Sequence, residues 1–412
     1  MSRNKVVLAY SGGLDTACIL KTLLQQGHEV VAYVADVGQL EDFDDIEHRA
    51  RATGASEVFV EDLQHEFVTD FIWPAIAGNA VYENQYLLGT ALARPVIAKR
   101  QVEIARRVGA TALAHGATGK GNDQVRFELA FAALAPDLEV IAPWKDPEFL
   151  ARFQGRRDLL AFAAEHAIPV EATADKPYSS DENLMHRSYE AGLLEDPDTA
   201  PPAEMFKLTR ALEDTPDRAD RIIVRFKDAL PVSVEHLDEG VQITDPVRLL
   251  AYLNDLGGRH GIGRIDIVEN RFVGIKSRGV YETPGGTILH HALRDLEGIA
   301  MDREVRRLRD MLSPRFTEII YNGFWFSPEM DFIEAAFRQS SELIDGEVRL
   351  RLFKGNVIVE GRSSPSSLYD QDLSSMDIAG GYDQQDARGF IRVNALRLTA
   401  HRLIVGQVEG ES

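Results

Sequence analysis

The stretch Val6-Val7-Leu8-Ala9-Tyr10-Ser11-Gly12-Gly13-Leu14-Asp15-Thr16 decides how the first part of the chain folds. It begins with a short apolar run, residues 6–10, of the kind that forms a buried strand. Residues 16–26, which follow the two glycines, carry apolar side chains at helical spacing, and Gly27 is a typical residue for the end of a helix. The sequence therefore predicts that a strand passes into a helix through the glycine pair.

The same alternation of short apolar runs and longer amphipathic segments continues beyond this stretch. Further strands are predicted at residues 30–34, 58–60, 111–114 and 140–142, and a helix at residues 41–53 ends at Gly54. Short apolar strands joined through helices favour a parallel sheet that is covered on both faces, with right-handed crossovers. We therefore expect a doubly wound α/β domain.

The pattern changes near residue 168, and we place the end of the first domain there, at residues 1–168. Beyond it we predict a strand at residues 221–226, a hairpin formed by residues 347–353 and 356–360, and helices at residues 289–311 and 328–343. These elements indicate a second, α+β domain at residues 169–362. A small, polar junction then leads to a tail, residues 363–412, whose modest apolar content suggests packing on another subunit.

Composition excludes several classes of protein. The 412 residues are 44% hydrophobic and 27% charged, which is typical of a folded globular chain of more than one domain. A formal net charge of −20 opposes binding to nucleic acid or anionic lipid unless a basic patch is present. The basic cluster at residues 303–309 is interleaved with acidic and apolar residues, so we interpret it as the solvent face of a helix.

A single cysteine, Cys18, forms no intramolecular disulfide, and the sequence lacks the repeated Cys or His spacing of a zinc or iron-sulfur site. The N-terminal apolar run is too short for a signal peptide, and no stretch approaches the roughly 20 apolar residues of a membrane span. We expect a cytoplasmic protein that binds neither membrane nor nucleic acid.

The glycine pair has a chemical meaning at its position. Open α/β sheets bind ligands outside the carboxyl ends of their strands, where glycines let backbone N–H groups approach a phosphate and the next helix presents its positive end. Residues 11–13 therefore form a candidate anion site. Asp15 and Thr16 allow two interpretations: they cap the helix, or Asp15 holds a magnesium ion on the phosphates.

Two common phosphate-binding motifs are absent. Gly119-Lys120 is no Walker motif, because Ala114 stands in the first glycine's position and Gly121 in that of the hydroxyl residue. The Rossmann pattern is also missing. The loop instead resembles the Ser-Gly-Gly-x-Asp signature of the N-type ATP pyrophosphatases, which cleave ATP between its α and β phosphates and hold the pyrophosphate in this loop.

Longer motifs narrow the resemblance to one family. Residues 9–16, 86–90, 115–128, 181–186 and 258–271, and in the tail residues 367–369 and 386–390, all resemble argininosuccinate synthase. The resemblance implies a ligase that converts ATP, citrulline and aspartate to AMP, pyrophosphate and argininosuccinate through a citrullyl-adenylate. It also implies a homotetramer in which the tail is an oligomerisation arm, residues 1–168 being the nucleotide-binding domain and residues 169–362 the synthetase domain.

The resemblance also implies roles for individual residues, in which binding and positioning carry the reaction and no catalytic acid or base is named. Arg126 offers a fork for the citrulline carboxylate, and Glu269 accepts from an N–H group of the same substrate. The implied ATP contacts are Ala9, Tyr10, Ser11, Gly12, Gly13, Leu14, Asp15, Thr16, Ala17, Ala35 and Gly116. The implied citrulline contacts are Tyr86, Asn122, Arg126, Ser179, Ser188, Glu269 and Tyr281, and those for aspartate are Thr118, Asn122 and Asp123.

Each of these residues also has a structural interpretation. Asn122 and Asp123 could cap a helix at residues 124–134, Arg126 and Glu128 could be solvated on that helix, and Glu269 and Tyr281 could be surface residues of strands. We interpret His115, the adjacent His290 and His291, and Cys18 as structural residues and not as metal ligands or nucleophiles.

The chain departs from many members of the family at two positions. Ala17 stands where a serine is common, and we expect it to offer only its backbone N–H to a phosphate. Ala91 also replaces a serine, so we leave it out of the citrulline contacts. Two rival functions stay open from the sequence: another AMP-forming enzyme that acts on tRNA or transfers an amide nitrogen, and a sensor that only binds ATP.

Overall fold

The structure, a computed structural model, describes residues 4–170, 178–377 and 381–410. The chain forms two compact units, Met1–Ser366 and Ser367–Ser412. The first unit contains three sheets and most of the helices, and the second is helical. Every residue proposed from the sequence for substrate binding lies in the first unit.

A parallel sheet of five strands begins the first unit, in the order β3-β2-β1-β4-β5. Its strands match the five that the sequence predicts, with ends that differ by one or two residues. They are β1 (Lys5–Ala9), β2 (Glu29–Asp36), β3 (Glu57–Asp62), β4 (Ala112–Ala114) and β5 (Glu139–Ile141).

Helices cover both faces of this sheet, which confirms the doubly wound α/β fold. Successive residues of β1 serve opposite faces: Val6 packs in one core with Ile46 and Phe162, whereas Val7 packs in another with Ala98 and Phe131. The helices of this part are α1 (Leu14–Gln25), α2 (Phe43–Thr53), α3 (Gln64–Glu66), α4 (Trp73–Ala77), α5 (Gly89–Val108), α6 (Asp123–Leu134), α7 (Pro147–Arg152) and α8 (Arg156–Glu165), with a π-helical segment at Phe67–Ile72.

Two antiparallel sheets follow in the same unit. One has the order β10-β9-β8-β13-β14 and contains the predicted hairpin, and the other has the order β11-β12-β7-β6. Their strands are β6 (Ser179–Glu182), β7 (Arg187–Glu190), β8 (Asp220–Lys227), β9 (Leu230–His236), β10 (Val241–Ile243), β11 (Arg264–Asn270), β12 (Lys276–Glu282), β13 (Gly346–Phe353) and β14 (Asn356–Ser363).

The single helix expected at residues 289–311 is wrong, because the structure has two helices there. Helix α10 (Pro284–Ala300) ends before Asp302, whose side chain accepts from the backbone N–H groups of Glu304 and Val305 and begins helix α11 (Arg303–Asn322). The other helices of this part are α9 (Pro246–Arg259) and α12 (Pro328–Ser341), the second of which agrees with the predicted helix at 328–343.

The second unit contains α13 (Gln371–Ser374) and the long helix α14 (Asp386–Gly410). Along α14, apolar residues such as Phe390, Leu396 and Leu403 recur, and the described residues of this unit form neither a sheet nor a second long helix that could cover them. Across the described ranges of the chain, no helix combines the length and the apolar character of a membrane span.

Helix α9 approaches the segment before β8 so closely that only glycine fits at one position. A Cβ atom added to Gly258 would lie 2.0 Å from the backbone carbonyl oxygen of Leu208, an atom that cannot move aside. The same segment is bonded to β12, because the Glu282 carboxylate accepts from the backbone N–H groups of Lys207, Leu208 and Thr209. Close packing therefore explains why glycine stands at residue 258, the first position of the 258–271 motif.

We expect Gly258→Ala to lower the free energy of unfolding by about 2 kcal/mol, because the added methyl group forces a backbone shift. Thermal unfolding measured beside Gly155→Ala provides the matched control, since a Cβ at Gly155 meets no atom within 4 Å. Equal melting temperatures for the two variants would contradict the close approach at Leu208.

Candidate active site

The loop between β1 and α1 has the geometry of an anion site. Gly12 has a φ of +73°, and a Cβ atom there would lie 2.9 Å from Ile46, so the loop needs glycine at this position. The Arg49 Nη1 group donates to the Gly12 carbonyl at 3.0 Å. That bond fixes the peptide beside the N-terminus of α1, where the helix dipole favours a negative ligand.

The side chains of Ser11 and Thr16 stabilise the same loop. The Thr16 hydroxyl oxygen accepts from the Ser11 backbone N–H at 3.3 Å and lies 3.1 Å from the Ser11 hydroxyl. The capping interpretation of Asp15 and Thr16 is wrong in detail, because Gly13 is the N-cap residue and α1 has no side-chain cap. Thr16 is buried inside the first turn, and its hydroxyl donates to the Gly13 carbonyl at 3.3 Å.

Asp15 and Ala17 differ in what they offer a ligand. Burial raises the pKa of the Asp15 carboxyl, which lies half-buried in the first turn of α1. A half-buried carboxylate beside a phosphate site is the kind of ligand that Mg²⁺ uses together with phosphate oxygens. The backbone N–H of Ala17 donates to the Gly13 carbonyl at 3.0 Å, so the expectation that it is available to a phosphate is wrong.

The remaining residues assigned to ATP lie at the ends of neighbouring strands. Ala35 is at the carboxyl end of β2, and Gly116 follows β4, so both border the edge from which the loop emerges. A Cβ atom on Gly116 would lie 2.9 Å from Thr16 Cγ2. Gly116 therefore lets the chain after β4 pass directly beside α1, as a nucleotide site at this edge requires.

A cluster of four charged groups lies around the first turn of α6. The Asp123 carboxylate accepts from Arg94 Nε at 3.0 Å and from Arg126 Nη1 at 2.8 Å, and Arg94 Nη2 also donates to Asp181 at 2.6 Å. Although burial opposes ionisation, Arg94 and then Arg126 hold the pKa of Asp123 at about 2. Asp123 is therefore a carboxylate at neutral pH, and the cluster joins α5, α6 and β6.

Arg126 is buried and reaches from the parallel-sheet part to α11. Its Nε group donates to the Tyr321 carbonyl at 2.9 Å, and its guanidinium carbon lies 5.1 Å from the Tyr321 ring centroid. A Cβ atom on Gly323 would lie 2.7 Å from Arg126 Cα. The solvated interpretation of Arg126 is wrong, and the fork expected to face a carboxylate has two of its three nitrogens engaged within the protein.

Three aromatic rings lie together beside this cluster. Tyr86 and Tyr281 are stacked with centroids 4.1 Å apart, and the His186 ring lies 5.9 Å from the first and 5.7 Å from the second. His186 is fully buried, and a Cβ atom on Gly89 would lie 2.3 Å from its ring. Burial lowers the pKa of His186 to about 3, so the ring is neutral at physiological pH.

Glu269 lies at the end of the aromatic group. Its carboxyl accepts from the Tyr281 hydroxyl at 3.1 Å and from the Tyr321 hydroxyl at 2.9 Å. Burial raises the pKa of Glu269, and the two hydroxyls and Arg126 oppose that rise. Both Glu269 and Tyr281 are 6% exposed, so their interpretation as surface residues is wrong.

Asn122 and Thr118 belong to the segment before α6. Asn122 occupies the N-cap position, but its side-chain oxygen accepts from the Phe272 backbone N–H at 3.1 Å and bonds to no N–H of α6, so the capping interpretation is wrong. This bond ties the 115–128 motif to the turn between β11 and β12. Thr118 is exposed on the adjoining loop, where its hydroxyl is accessible to a ligand.

The two serines assigned to citrulline lie on neighbouring strands. Ser188 on β7 is opposite Tyr281 in the sheet, and its hydroxyl donates to the Asp181 carbonyl at 3.3 Å. Ser179 begins β6 and is exposed, opposite Glu190. Ser188 therefore joins the group of Tyr86, Tyr281 and Glu269, whereas Ser179 lies at the outer end of the strand pair.

Two of the residues interpreted as structural, His115 and Cys18, are buried among protein partners. His115 Nδ1 accepts from the Ala117 N–H, so Nε2 carries the proton and donates to Glu128 at 3.2 Å. Glu128 also binds Lys145, and its side chain stays partly exposed, in agreement with its solvated interpretation. Cys18 is a core residue, as expected, and burial raises the pKa of its thiol to about 12.

No group of three or more His, Cys, Asp or Glu side chains among the described residues is placed to hold a metal ion. The adjacent His290 and His291 rings are nearly perpendicular, with centroids 6.2 Å apart, and His290 is bonded to Asn79.

Four residues of the site were missed by the sequence reasoning: Arg94, Asp181, His186 and Tyr321. Asp181 and His186 lie inside a motif that was noted but given no role. Arg94 is a single cation between apolar residues of α5, which is a usable signal for a buried ion pair. Tyr321 carries no comparable signal, because its partners come from distant parts of the chain.

Together, the strand-end loop and the polar pocket beside it define a nucleotide-binding enzyme of the α/β class. Residues 5–169 match the model of the arginosuccinate synthase N-terminal HUP domain, and residues 178–401 match that of the arginosuccinate synthase C-terminal domain. The chain belongs to the argininosuccinate synthase family, which confirms the resemblance found in its motifs.

Individual relatives agree over nearly the whole chain. The chain is 59% identical to the argininosuccinate synthase of Thermotoga maritima over 402 residues, 54% identical to that of Danio rerio over 406 and 52% identical to that of Homo sapiens over 403. In each case the match covers 98% of this chain and 98% of the relative.

We expect Arg94→Met to lower the free energy of unfolding by about 2 kcal/mol at neutral pH, because Asp123 and Asp181 both lose the guanidinium that pairs with them. Folding lowers the pKa of Asp123 to about 2. The ionised carboxylate therefore stabilises the fold fully above the unfolded pKa of about 3.9, and this stabilisation is lost as the pH falls through about 2. The deficit of the variant should therefore shrink toward about pH 3.

Urea unfolding at neutral pH and at about pH 3 measures this deficit in the free energy of unfolding, with Arg51→Met as the matched control. Arg51 forms an exposed pair with Glu47 on α2, and its loss should cost less than about 0.5 kcal/mol at either pH. Similar deficits for the two variants would contradict a central role for Arg94 in the charged cluster.

Proposed function

We propose that this site performs the reaction of its family, the ATP-dependent ligation of citrulline and aspartate to argininosuccinate with release of AMP and pyrophosphate. The protein is a ligase that forms a carbon–nitrogen bond. The observation that carries the proposal is the pairing of a glycine loop at the strand ends with a buried acceptor, Glu269, and a buried cation, Arg126, in one compact unit.

ATP is proposed to bind with its phosphates in the loop before α1. Residues 9–16 would surround the phosphates, with Ala35 and Gly116 bordering the nucleotide from the neighbouring strands. Ala17 stays in this set only through its position, since its N–H is used inside the helix. Mg²⁺ would sit beside Asp15, where one carboxylate and the phosphate oxygens form a suitable set of hard ligands.

Citrulline is proposed to bind among Tyr86, Tyr281, Glu269 and Arg126, with Asn122, Ser179 and Ser188 at the edges of the pocket. Glu269 would accept from an N–H group of citrulline, and its ionised form is the stronger acceptor. Arg126 would reach a substrate carboxylate through Nη2, which bonds to no other residue in the described part of the chain, or by exchange with Asp123.

Aspartate is proposed to bind at the segment before α6. Thr118 and Asn122 would donate to its carboxylates, and Asp123 would face its ammonium group. A carboxylate with a pKa of about 2 suits that role, because it is charged at any pH at which the enzyme operates. The position between the ATP loop and the citrulline pocket fits a nucleophile that attacks an activated ureido carbon.

The chemical work of such a site is positioning. The ureido carbon of citrulline is a poor electrophile, and transfer of AMP to its oxygen creates a good leaving group that the aspartate amine displaces. Fixed donors around each substrate, held by the charged cluster of Arg94 and Asp123, lower the entropic part of both barriers.

We also propose the domain organisation of the chain and its assembly into an oligomer. We place the nucleotide-binding domain at residues 1–168, the synthetase domain at 169–362 and the oligomerisation arm at 363–412. The uncovered apolar residues of α14 support a homotetramer in which the arm packs on a neighbouring subunit. A cytoplasmic location, without nucleic-acid or membrane partners, agrees with the single cysteine and the net charge of −20.

The reaction is tested with purified protein, ATP and Mg²⁺, with citrulline and aspartate supplied together, singly or not at all. We expect AMP and pyrophosphate in equal amounts only when citrulline is present, and argininosuccinate only with both substrates. Formation of ADP would contradict the proposal. Release of AMP that ignores citrulline would favour a different AMP-forming enzyme, and binding of ATP without turnover would favour a sensor.

We expect Glu269→Gln to raise the citrulline KM by at least about tenfold with little change in the ATP KM, because an amide cannot replace a charged acceptor. Steady-state pyrophosphate release measures both constants. The control is Glu304→Gln on the exposed face of α11, which should leave both unchanged. If the Glu269 variant raises the two KM values equally, the citrulline assignment is wrong.

We expect a chain that ends at Ser366 to lose the tetramer, because the arm is then absent. Light scattering of the full chain and the truncated chain at equal concentration reports the mass of each assembly. A truncated chain that keeps the mass of four subunits would refute the role of the arm.

A further inference from the structure

Tyr321, to which the sequence assigned no role, contacts two residues of the proposed citrulline pocket. It contacts Glu269 through its hydroxyl, at 2.9 Å, and Arg126 through its backbone carbonyl, at 2.9 Å. Its side chain is fully buried near the end of α11. One residue thus touches the buried acceptor and the buried cation of the proposed citrulline pocket.

The ring of Tyr321 is also fixed. It stacks on Tyr82 with centroids 3.6 Å apart and an angle of 4° between the planes, and the guanidinium of Arg126 lies 5.1 Å from its centroid. The Tyr82 hydroxyl donates to the Asn270 carbonyl at 2.6 Å, next to Glu269 in sequence. The hydroxyl of Tyr321 therefore has little freedom to leave Glu269.

We propose that Tyr321 is a positioning residue of this enzyme, whose hydroxyl orients Glu269 and keeps it ionised for citrulline binding. The inference deepens the proposed function and rests on it. Tyr321 is not a catalytic residue in this account, because it acts on the substrate only through Glu269 and Arg126. Its hydroxyl sets the lowest pH at which the pocket accepts citrulline.

The charges around Glu269 explain why one hydrogen bond matters. Burial favours the neutral acid, and the bond from Tyr321 is the largest single influence that opposes it. A neutral Glu269 would be a weaker acceptor for the N–H group of citrulline, and its O–H would add a donor to the pocket. Two arginines and four tyrosines face Glu269. The arginines are Arg126 from α6 and Arg271 from the turn after β11. The tyrosines are Tyr281 from β12, Tyr321 from α11, and Tyr82 and Tyr86 from the segment before α5.

The four tyrosines do not titrate near the acid limit of activity. Burial raises the pKa of Tyr82 to about 12, and it also raises the pKa of Tyr86, Tyr281 and Tyr321. A second acid, Glu190, lies near Tyr281 and Arg271, and burial raises its pKa as well. The test must therefore separate Glu190 from Glu269.

The experiment measures kcat/KM for citrulline from about pH 5.5 to about pH 9.5, with ATP and aspartate saturating. The acid limb of this profile reports the ionisation of the free enzyme. We expect Tyr321→Phe to move the limb upward by roughly one pH unit, because the charged form of Glu269 loses a donor. The loss of activity should be more than about fivefold below the limb and small above it.

The matched control is Tyr82→Phe, which removes a hydroxyl from the other ring of the same stack. That hydroxyl is bonded to a backbone carbonyl and not to Glu269, so the limb should stay in place even if the rate changes. Near-ultraviolet circular dichroism of each variant shows whether the aromatic packing is kept.

A third arm uses Glu269→Gln as the background. With no carboxyl at residue 269, Tyr321→Phe should no longer move the limb, and any limb that remains belongs to Glu190 or another group. A loss in Tyr321→Phe that is equal at every pH would overturn the inference and leave Tyr321 with a purely structural role. A wild-type enzyme that releases no pyrophosphate with citrulline would instead overturn the proposed function.

Discussion

The buried guanidinium of Arg126 is the contact on which the rest of the site depends. It belongs to a helix that packs on the parallel sheet, yet its Nε group bonds to the Tyr321 carbonyl in the helical layer of the second half of the unit. A buried cation must be matched by acceptors, and Asp123 and the Tyr321 carbonyl supply them. Two parts of the chain, 195 residues apart, are thereby held in one geometry.

From that contact the rest of the pocket follows. Asp123 is fixed between two arginines, which orients the start of α6 and with it Asn122. Tyr321 is fixed on the other side, and its hydroxyl positions Glu269 beside Tyr281. The ATP loop is a separate local structure, made by Gly12, Gly13 and the first turn of α1, and the segment from Gly116 to Asn122 connects it to the pocket.

The local parts of this arrangement could be predicted from the sequence. The strand, the glycine pair and the helix are neighbours in the chain, so residues 6–26 carried enough pattern to place the anion loop and the sheet edge. The break at Asp302 was missed because apolar spacing continues across it and only the cap bonds reveal the second helix. The use of the Ala17 N–H inside α1 was missed for a similar reason, since it depends on where the helix begins.

The long-range parts could not be predicted from residue patterns alone. Taken one at a time, Arg126, Glu269 and Tyr281 were equally consistent with solvent exposure, because burial of a polar side chain depends on partners that only the folded chain brings near. Family motifs marked these residues as important without giving their contacts. Tyr321 lay outside those motifs, and its role rests on three contacts to residues that are distant in sequence.

The most direct measurement of the central claim is a crystal structure of the enzyme with citrulline and a non-hydrolysable ATP analogue. The account predicts the triphosphate in the loop before α1 and citrulline against Tyr86 and Tyr281, with an N–H group of the substrate within hydrogen-bond distance of Glu269. Citrulline bound elsewhere, with Glu269 bonded only to Tyr281 and Tyr321, would contradict it.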